Sequence, residues 1–131
     1  MKNKTVLFFL LMLLAHLGHV FEEVWARFWI LNRVGLGWFL AINWVLFSIP
    51  LVLLFFILSR KRWAYKLGIL YAGFMGLQGF VHNIAVIVTG RYFDGYSGGF
   101  SGLAMILLAW PLIHALRKEL ADRDGPARAK S

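Results

Sequence analysis

Residues 5–29, TVLFFLLMLLAHLGHVFEEVWARFW, decide the fold class. From residue 5 to residue 15 the run carries no charge, and the remainder is interrupted only by His16, His19, Glu22, Glu23 and Arg27. A helix that crosses a bilayer needs about 20 predominantly apolar residues, and this run is long enough. Working outward, a second apolar run covers residues 36–58, broken only by Asn43, Ser48 and Pro50. A third covers residues 63–89, and a fourth, the shortest, residues 100–116. Pro50 and Pro111 lie inside runs, where membrane helices tolerate a kink.

Composition agrees. Hydrophobic residues make up 60% of the 131 residues and charged residues 15%, against about 45–50% and about 25% in soluble domains. A chain this short cannot hide so much apolar surface from water. The expected architecture is therefore an all-α integral membrane four-helix bundle. Residues 1–118 would hold the four spans, and residues 119–131 a polar cytoplasmic tail. Cysteine is absent, which excludes disulfides and thiolate metal sites.

The net charge of +8 would suggest a nucleic-acid partner in a soluble protein. Here the basic residues sit at the ends of apolar runs, and no basic stripe is interleaved with exposed aromatics, so nucleic acid is excluded. With the N-terminus inside, Lys2, Lys4, Arg60, Lys61, Arg62, Lys66, Arg117, Lys118, Arg123, Arg128 and Lys130 face the cytoplasm, 11 of the 14 basic residues. Arg27, Arg33 and Arg91 fall outside. The bias predicts both termini in the cytoplasm, with Trp25, Trp29, Trp38, Tyr92 and Tyr96 at the outer interface and Trp63 and Tyr65 at the inner one. Lys2 to Ala15 also resembles the start of a secretory signal. Its apolar run, however, continues past the histidines to Phe28 without a clean small-x-small site.

Ionisable groups inside a span are costly and mark function by default. On a helix, residues three and four apart share a side, so His16, His19, Glu22, Glu23 and Arg27 form one polar stripe. At about 1.5 Å per residue, His19 lies about 21 Å and Glu22 about 26 Å from the inner face. On the third span Gln78 lies at about 18 Å and His82 at about 24 Å, and Asn43 on the second at about 21 Å. Three helices thus place polar residues at one level in the outer half of the bilayer, which points to a shared site.

His19-Val20-Phe21-Glu22-Glu23, early in a short four-span chain, resembles the motif of the HXXEE family of bacterial membrane proteins. The resemblance extends to His82-Asn83 in the third span, Tyr96-Ser97-Gly98-Gly99 in the following loop, and Pro111 in the last helix. The loop differs from a Tyr-x-Pro-Gly form. The likeness implies a multi-pass protein of a bacterial inner membrane. It implies no activity, since none is established for the family.

The residues themselves suggest metal binding. His19, Glu22, Glu23 and His82 are the candidate ligands, a nitrogen and oxygen set that suits Zn, Fe or Mn. Helix bundles build metal sites from inward Glu and His at such spacings. Without a metal, Glu22, Glu23 and His82 could carry acid–base catalysis. His16, Asn43, Gln78 and Asn83 are candidates for a surrounding shell: His16 to orient His19, Asn83 to bond between helices. Structural alternatives stand beside these. Glu22 and Glu23 could pair with Arg27 and Arg33, and His82 could be a core histidine bonded to Asn43 or Gln78. His114, near Arg117 and Lys118, reads as an interfacial residue.

The segment from Gly90 to Gly102 sets Arg91, Tyr92, Asp94, Tyr96, Ser97 and Ser101 among five glycines beside the polar layer. It reads either as a lid or as a plain outer loop. No phosphate-loop ending is present. The leading functional reading is a small membrane enzyme, metal-dependent, acting on a lipophilic small molecule that enters from the lipid bilayer. No organic cofactor is expected. The alternatives are a transporter or channel for protons or a divalent cation, which would need a homo-oligomer to complete its path, and an accessory subunit of a larger membrane complex.

Overall fold

The computed structural model describes the backbone of residues 2–128 and the side chains of residues 4–123. All regular structure among them is helical: α1 (Lys2–Trp25), α2 (Trp29–Val34), α3 (Leu36–Leu58), α4 (Arg62–Thr89) and α5 (Gly99–Arg128). Four of these, all but the short α2, are long and apolar enough to cross a membrane. Helices suit that medium because each satisfies its own backbone hydrogen bonds.

The four long helices form a ring in the order α1, α5, α4, α3, with the most extensive contact between α4 and α5. Phe9 and Met12 of α1, Ile57 of α3, Ala72 and Met75 of α4, and Met105, Leu112 and Leu116 of α5 fill the centre. The outer faces carry exposed Phe21, Trp44, Ile87, Phe100 and Trp110, as expected of surfaces in contact with lipid rather than water.

Glycine spacing accounts for the close approach of α4 and α5. A Cβ at Gly79 would fall 2.9 Å from the Gly102 carbonyl carbon, and one at Gly76 would fall 2.8 Å from Ala109 Cβ. Small residues let two backbones meet where lipid supplies no hydrophobic drive. Gly73, on another face of α4, has nothing within 4 Å of the same position. Gly79→Ala is therefore expected to lower the thermal midpoint in detergent by about 5 °C or more. Gly73→Ala should leave it unchanged or slightly raised, because alanine favours the helix. Equal midpoints for the two variants would contradict this packing.

Two boundaries differ from the apolar runs. The first helix ends at Trp25 rather than continuing to residue 29, because Arg27 takes a left-handed conformation with φ 58°. The corner is held from across the bundle: Asp94 N–H donates to Ala26 O at 2.9 Å, and Trp29 N–H to Gly95 O at 3.0 Å. No glycine or proline marks this break in the sequence, so only the partner loop reveals it. The last helix, for its part, does not stop near residue 116. It continues through Arg128, so the expected tail is helical over 119–128; residues 129–131 lie outside the described residues.

Glu119 explains part of that continuation. It is buried, accepts a hydrogen bond from Thr5 Oγ1 of α1, and lies 3.2 Å from the Tyr65 hydroxyl of α4. Arg123 donates to Arg60 O at 2.7 Å and stacks over the Tyr65 ring at 4.5 Å. These bonds fasten three helices at the end of the bundle opposite His19 and His82.

Candidate functional site

The polar stripe of α1 divides around the helix axis. Each residue turns the helix by about 100°, so positions three and four beyond His19 diverge to either side of it. Glu23 turns with His19 toward the bundle interior, and Glu22 turns toward α5. α1 and α4 lie diagonally across the ring, so His82 reaches the pair across the interior.

His19, Glu23 and His82 are all buried, and one ligand atom from each lies within 4.8 Å of the others. Glu23 Oε1 is 3.5 Å from His19 Nε2 and 3.6 Å from His82 Nε2. The imidazole tautomers follow from what the opposite nitrogens touch. His82 Nδ1 lies 2.5 Å from the carbonyl oxygen of Ser97, which can only accept, so Nδ1 carries the proton. His19 Nδ1 lies 2.9 Å from Ser101 Oγ, whose single proton goes to Glu22; His19 Nδ1–H is therefore the donor there as well. Both Nε2 lone pairs are left facing one carboxylate oxygen.

Three electron-pair donors thus converge, and the proton donor beside them is the Gln78 amide, bonded to His19 Nε2. Ligands bound tetrahedrally at about 2.0–2.2 Å stand about 3.4 Å apart, close to the separations of Glu23 from each imidazole. The three residues can hold a metal ion, and with three protein ligands a position stays open for another molecule. Gln78 Nε2 lies 3.3 Å from His19 Nε2, at the margin of this group.

Glu22 has a different task. Its carboxylate accepts from Phe100 N–H at 3.0 Å, Ser101 N–H at 2.8 Å, Ser101 Oγ and the Tyr92 hydroxyl. Phe100 and Ser101 open α5, so an acid from α1 caps that helix and complements its dipole. Burial, together with the bond and charge of Glu22, raises the Tyr92 phenol above its ordinary range, so Tyr92 remains the donor at neutral pH. Among the described residues, neither glutamate forms an ion pair with Arg27 or Arg33. Arg33 instead lies over the Trp29 ring at 5.4 Å.

The glycine-rich segment packs directly on the two imidazoles. Gly98, at φ +106°, has no room for a side chain: a Cβ would fall 2.8 Å from His82 Nδ1 and 2.9 Å from His19 Nδ1. Phe28 covers His82 with ring centroids 5.2 Å apart. Ser97 Oγ is the only buried side-chain polar atom without a partner among the described residues, and its own carbonyl holds His82. An unpaired buried hydroxyl costs about 1–3 kcal/mol unless something else supplies a bond.

No family model, curated protein or solved structure matches the chain.

The remaining residues of the expected polar layer are dispersed. His16 pairs with the Tyr71 hydroxyl at 3.2 Å, one turn from His19. Asn83 bridges α4 to the start of α5, donating to Gly79 O at 2.9 Å and Gly99 O at 3.0 Å. Asn43 donates to Phe39 O of its own helix at 2.9 Å and lines grooves on the outer side of the bundle. Depth counted by helical rise places Asn43 at the right level but says nothing of the face it occupies.

Ser101 had no sequence signal beyond its position among glycines, yet it links Glu22 to His19. Ser101→Ala should free the His19 ring and weaken metal binding by about 10–100-fold, the usual consequence of removing a group that orients a ligand histidine. Competition with a chelating dye reads this directly. Affinity equal to wild type would mean that the ring is held by packing alone.

Proposed function

We propose that this protein is a small metal-dependent enzyme of a bacterial inner membrane that acts on a lipophilic substrate. Four helices that can span a bilayer support the setting. The orientation with both termini in the cytoplasm, and the chain's place among HXXEE-motif proteins, belong to the same proposal. They rest on the distribution of basic residues and on residues 19–23.

One observation carries the reading: two neutral imidazoles, each with Nδ1–H committed elsewhere, direct Nε2 at one oxygen of Glu23. A buried carboxylate facing two lone pairs is expensive unless a cation or proton joins them. The absence of sulfur ligands favours Zn, Fe or Mn. A divalent ion bound with an open position would supply Lewis acidity toward water or a substrate oxygen. Around it, the Gln78 amide lies at the margin of the group, and the Gly98 segment with Phe28 covers the imidazoles and keeps solvent out.

Conduction finds less support. Beneath the cluster the centre of the bundle is filled by Phe9, Met12, Met75 and Met105, each at most 1% exposed. Below the His16–Tyr71 pair, Phe9 stacks on the Tyr71 ring, so apolar side chains interrupt the polar path.

Metal analysis of detergent-purified protein tests the proposal, with reconstitution in zinc, iron and manganese. About one ion per chain is expected in the wild type, and about a tenth or less in His19→Ala, since three protein ligands define the site. Wild-type protein that takes up none of the three metals would sink it.

A further inference from the structure

A groove of about 730 Å³ runs between α3 and α4 on the face of the bundle. Leu46, Ile49 and Leu53 form one wall, and Leu67, Leu70 and Phe74 the other. It extends along α4 from Trp63 to Gln78, about 22 Å at the rise of an α-helix. That is enough for a single extended chain lying along the helices.

Three features narrow what it accepts. No Lys, Arg, Asp or Glu lines it, so a phosphate, carboxylate or ammonium head would be buried without a counter-charge. The hydrogen-bonding side chains of α4 lie in the half of the groove toward Gln78: Tyr71, bonded to His16 at 3.2 Å, and two turns on Gln78, bonded to His19 Nε2, each with an acceptor oxygen still to offer. Asn43 and Ser48, also in the lining, each donate a bond to their own helix, to Phe39 O and Trp44 O. Finally, Gln78 belongs both to the groove and to the margin of the metal group, 3.3 Å from His19 Nε2. The polar end therefore abuts the cluster, and the apolar end lies beside Trp63.

A larger groove of about 920 Å³ lies between α1 and α3, but its only polar side chain is Asn43 and nothing in it touches the cluster. It can hold lipid chains without orienting them.

We infer that the α3–α4 groove binds a single-chain amphiphile with an uncharged oxygen head, such as a long-chain alcohol or aldehyde. The head lies between Tyr71 and Gln78 and the tail runs toward Trp63. That this head is the group acted upon rests on the proposed metal enzyme; the binding itself does not.

Photolabelling of the full chain in liposomes tests it, using a long-chain alcohol with a mid-chain diazirine. Label is expected on residues 45–53 and 67–78. Unlabelled alcohol should compete about 10-fold better than its phosphate ester or the matching alkane, since two hydrogen bonds to the head are at stake. Tyr71→Phe and Gln78→Ala should each weaken competition by the alcohol about 5-fold, leaving competition by the alkane unchanged. Leu70→Trp and Ile49→Trp fill the groove from opposite walls at lipid-exposed positions and should remove most of the label while metal content stays at the wild-type level.

Equal competition by the alkane would mean that the groove reads no head, and stronger competition by the phosphate ester that it reads a charged one. Label confined to the α1–α3 face, or protection by contact with a second copy, would also overturn the inference. Label as expected on a protein that binds no metal would overturn the metal enzyme and leave the groove assignment standing. Metal bound with no specific label would do the reverse.

Discussion

Glu23→Gln is expected to abolish the proposed metal binding, and Glu22→Gln to preserve it. The two acids are adjacent in sequence and nearly identical in chemistry, so the contrast isolates geometry. Glu23 Oε1 faces both imidazole Nε2 atoms. Its amide analogue keeps the volume but loses the anionic ligand. Losses from merely orienting groups run to about 10–100-fold, and removal of a ligand should exceed about 100-fold. Glu22 spends its acceptor capacity on Tyr92, Phe100 and Ser101. Glu22→Gln should change metal affinity by at most about 10-fold, but should loosen the start of α5 and cost about 1–2 kcal/mol of stability, as loss of a helix cap does. Dye competition and thermal unfolding on the same samples separate the two effects. Equal loss of metal from both variants would contradict the division of roles between the acids.

Gly98→Ala should be nearly as damaging although it removes no ligand. The added methyl meets both imidazoles, and φ +106° is a conformation that side-chain-bearing residues rarely adopt. Strain and overpacking together should cost about 2–4 kcal/mol and lower the thermal midpoint by about 10 °C. Metal content should fall below half, because both rings must move. Gly99→Ala is the matched control: there the nearest atom to a Cβ is Asn83 Oδ1 at 3.7 Å, an ordinary contact. A protein that tolerates both substitutions alike would show that the segment does not press on the histidines.

Much of the architecture was legible in the chain. The run from residue 36 to residue 58 is the third helix to the residue, because Gly35 before it and Ser59-Arg60-Lys61 after it leave no apolar neighbour to extend it. The helix from Arg62 to Thr89 is read almost as well, since Gly90 ends it in the left-handed conformation that glycine supplies. The break at Arg27 and the continuation past Leu116 were not legible. Each depends on a partner distant in sequence, Asp94 and Gly95 in one case and Thr5 and Tyr65 in the other. Glu119 did leave a trace: it follows Leu112 and Leu116 at helical spacing on the buried face of α5.

By itself, the sequence determined the helices and that four of them are long and apolar enough to cross a membrane. The apolar length of a run and the charges that bound it are local properties, and a bilayer acts on each run separately. It also singled out the residues able to hold a metal, since ionisable groups stand out within apolar helices. Only the tertiary structure decided which glutamate serves the histidines, which imidazole nitrogens are free, and which groove reaches them. Those properties depend on the rotation of each helix about its axis. A rotation of about 100° separates Glu22 from Glu23, and it is set by what packs around α1: Ser101 and Tyr92 on one side, His82 on the other.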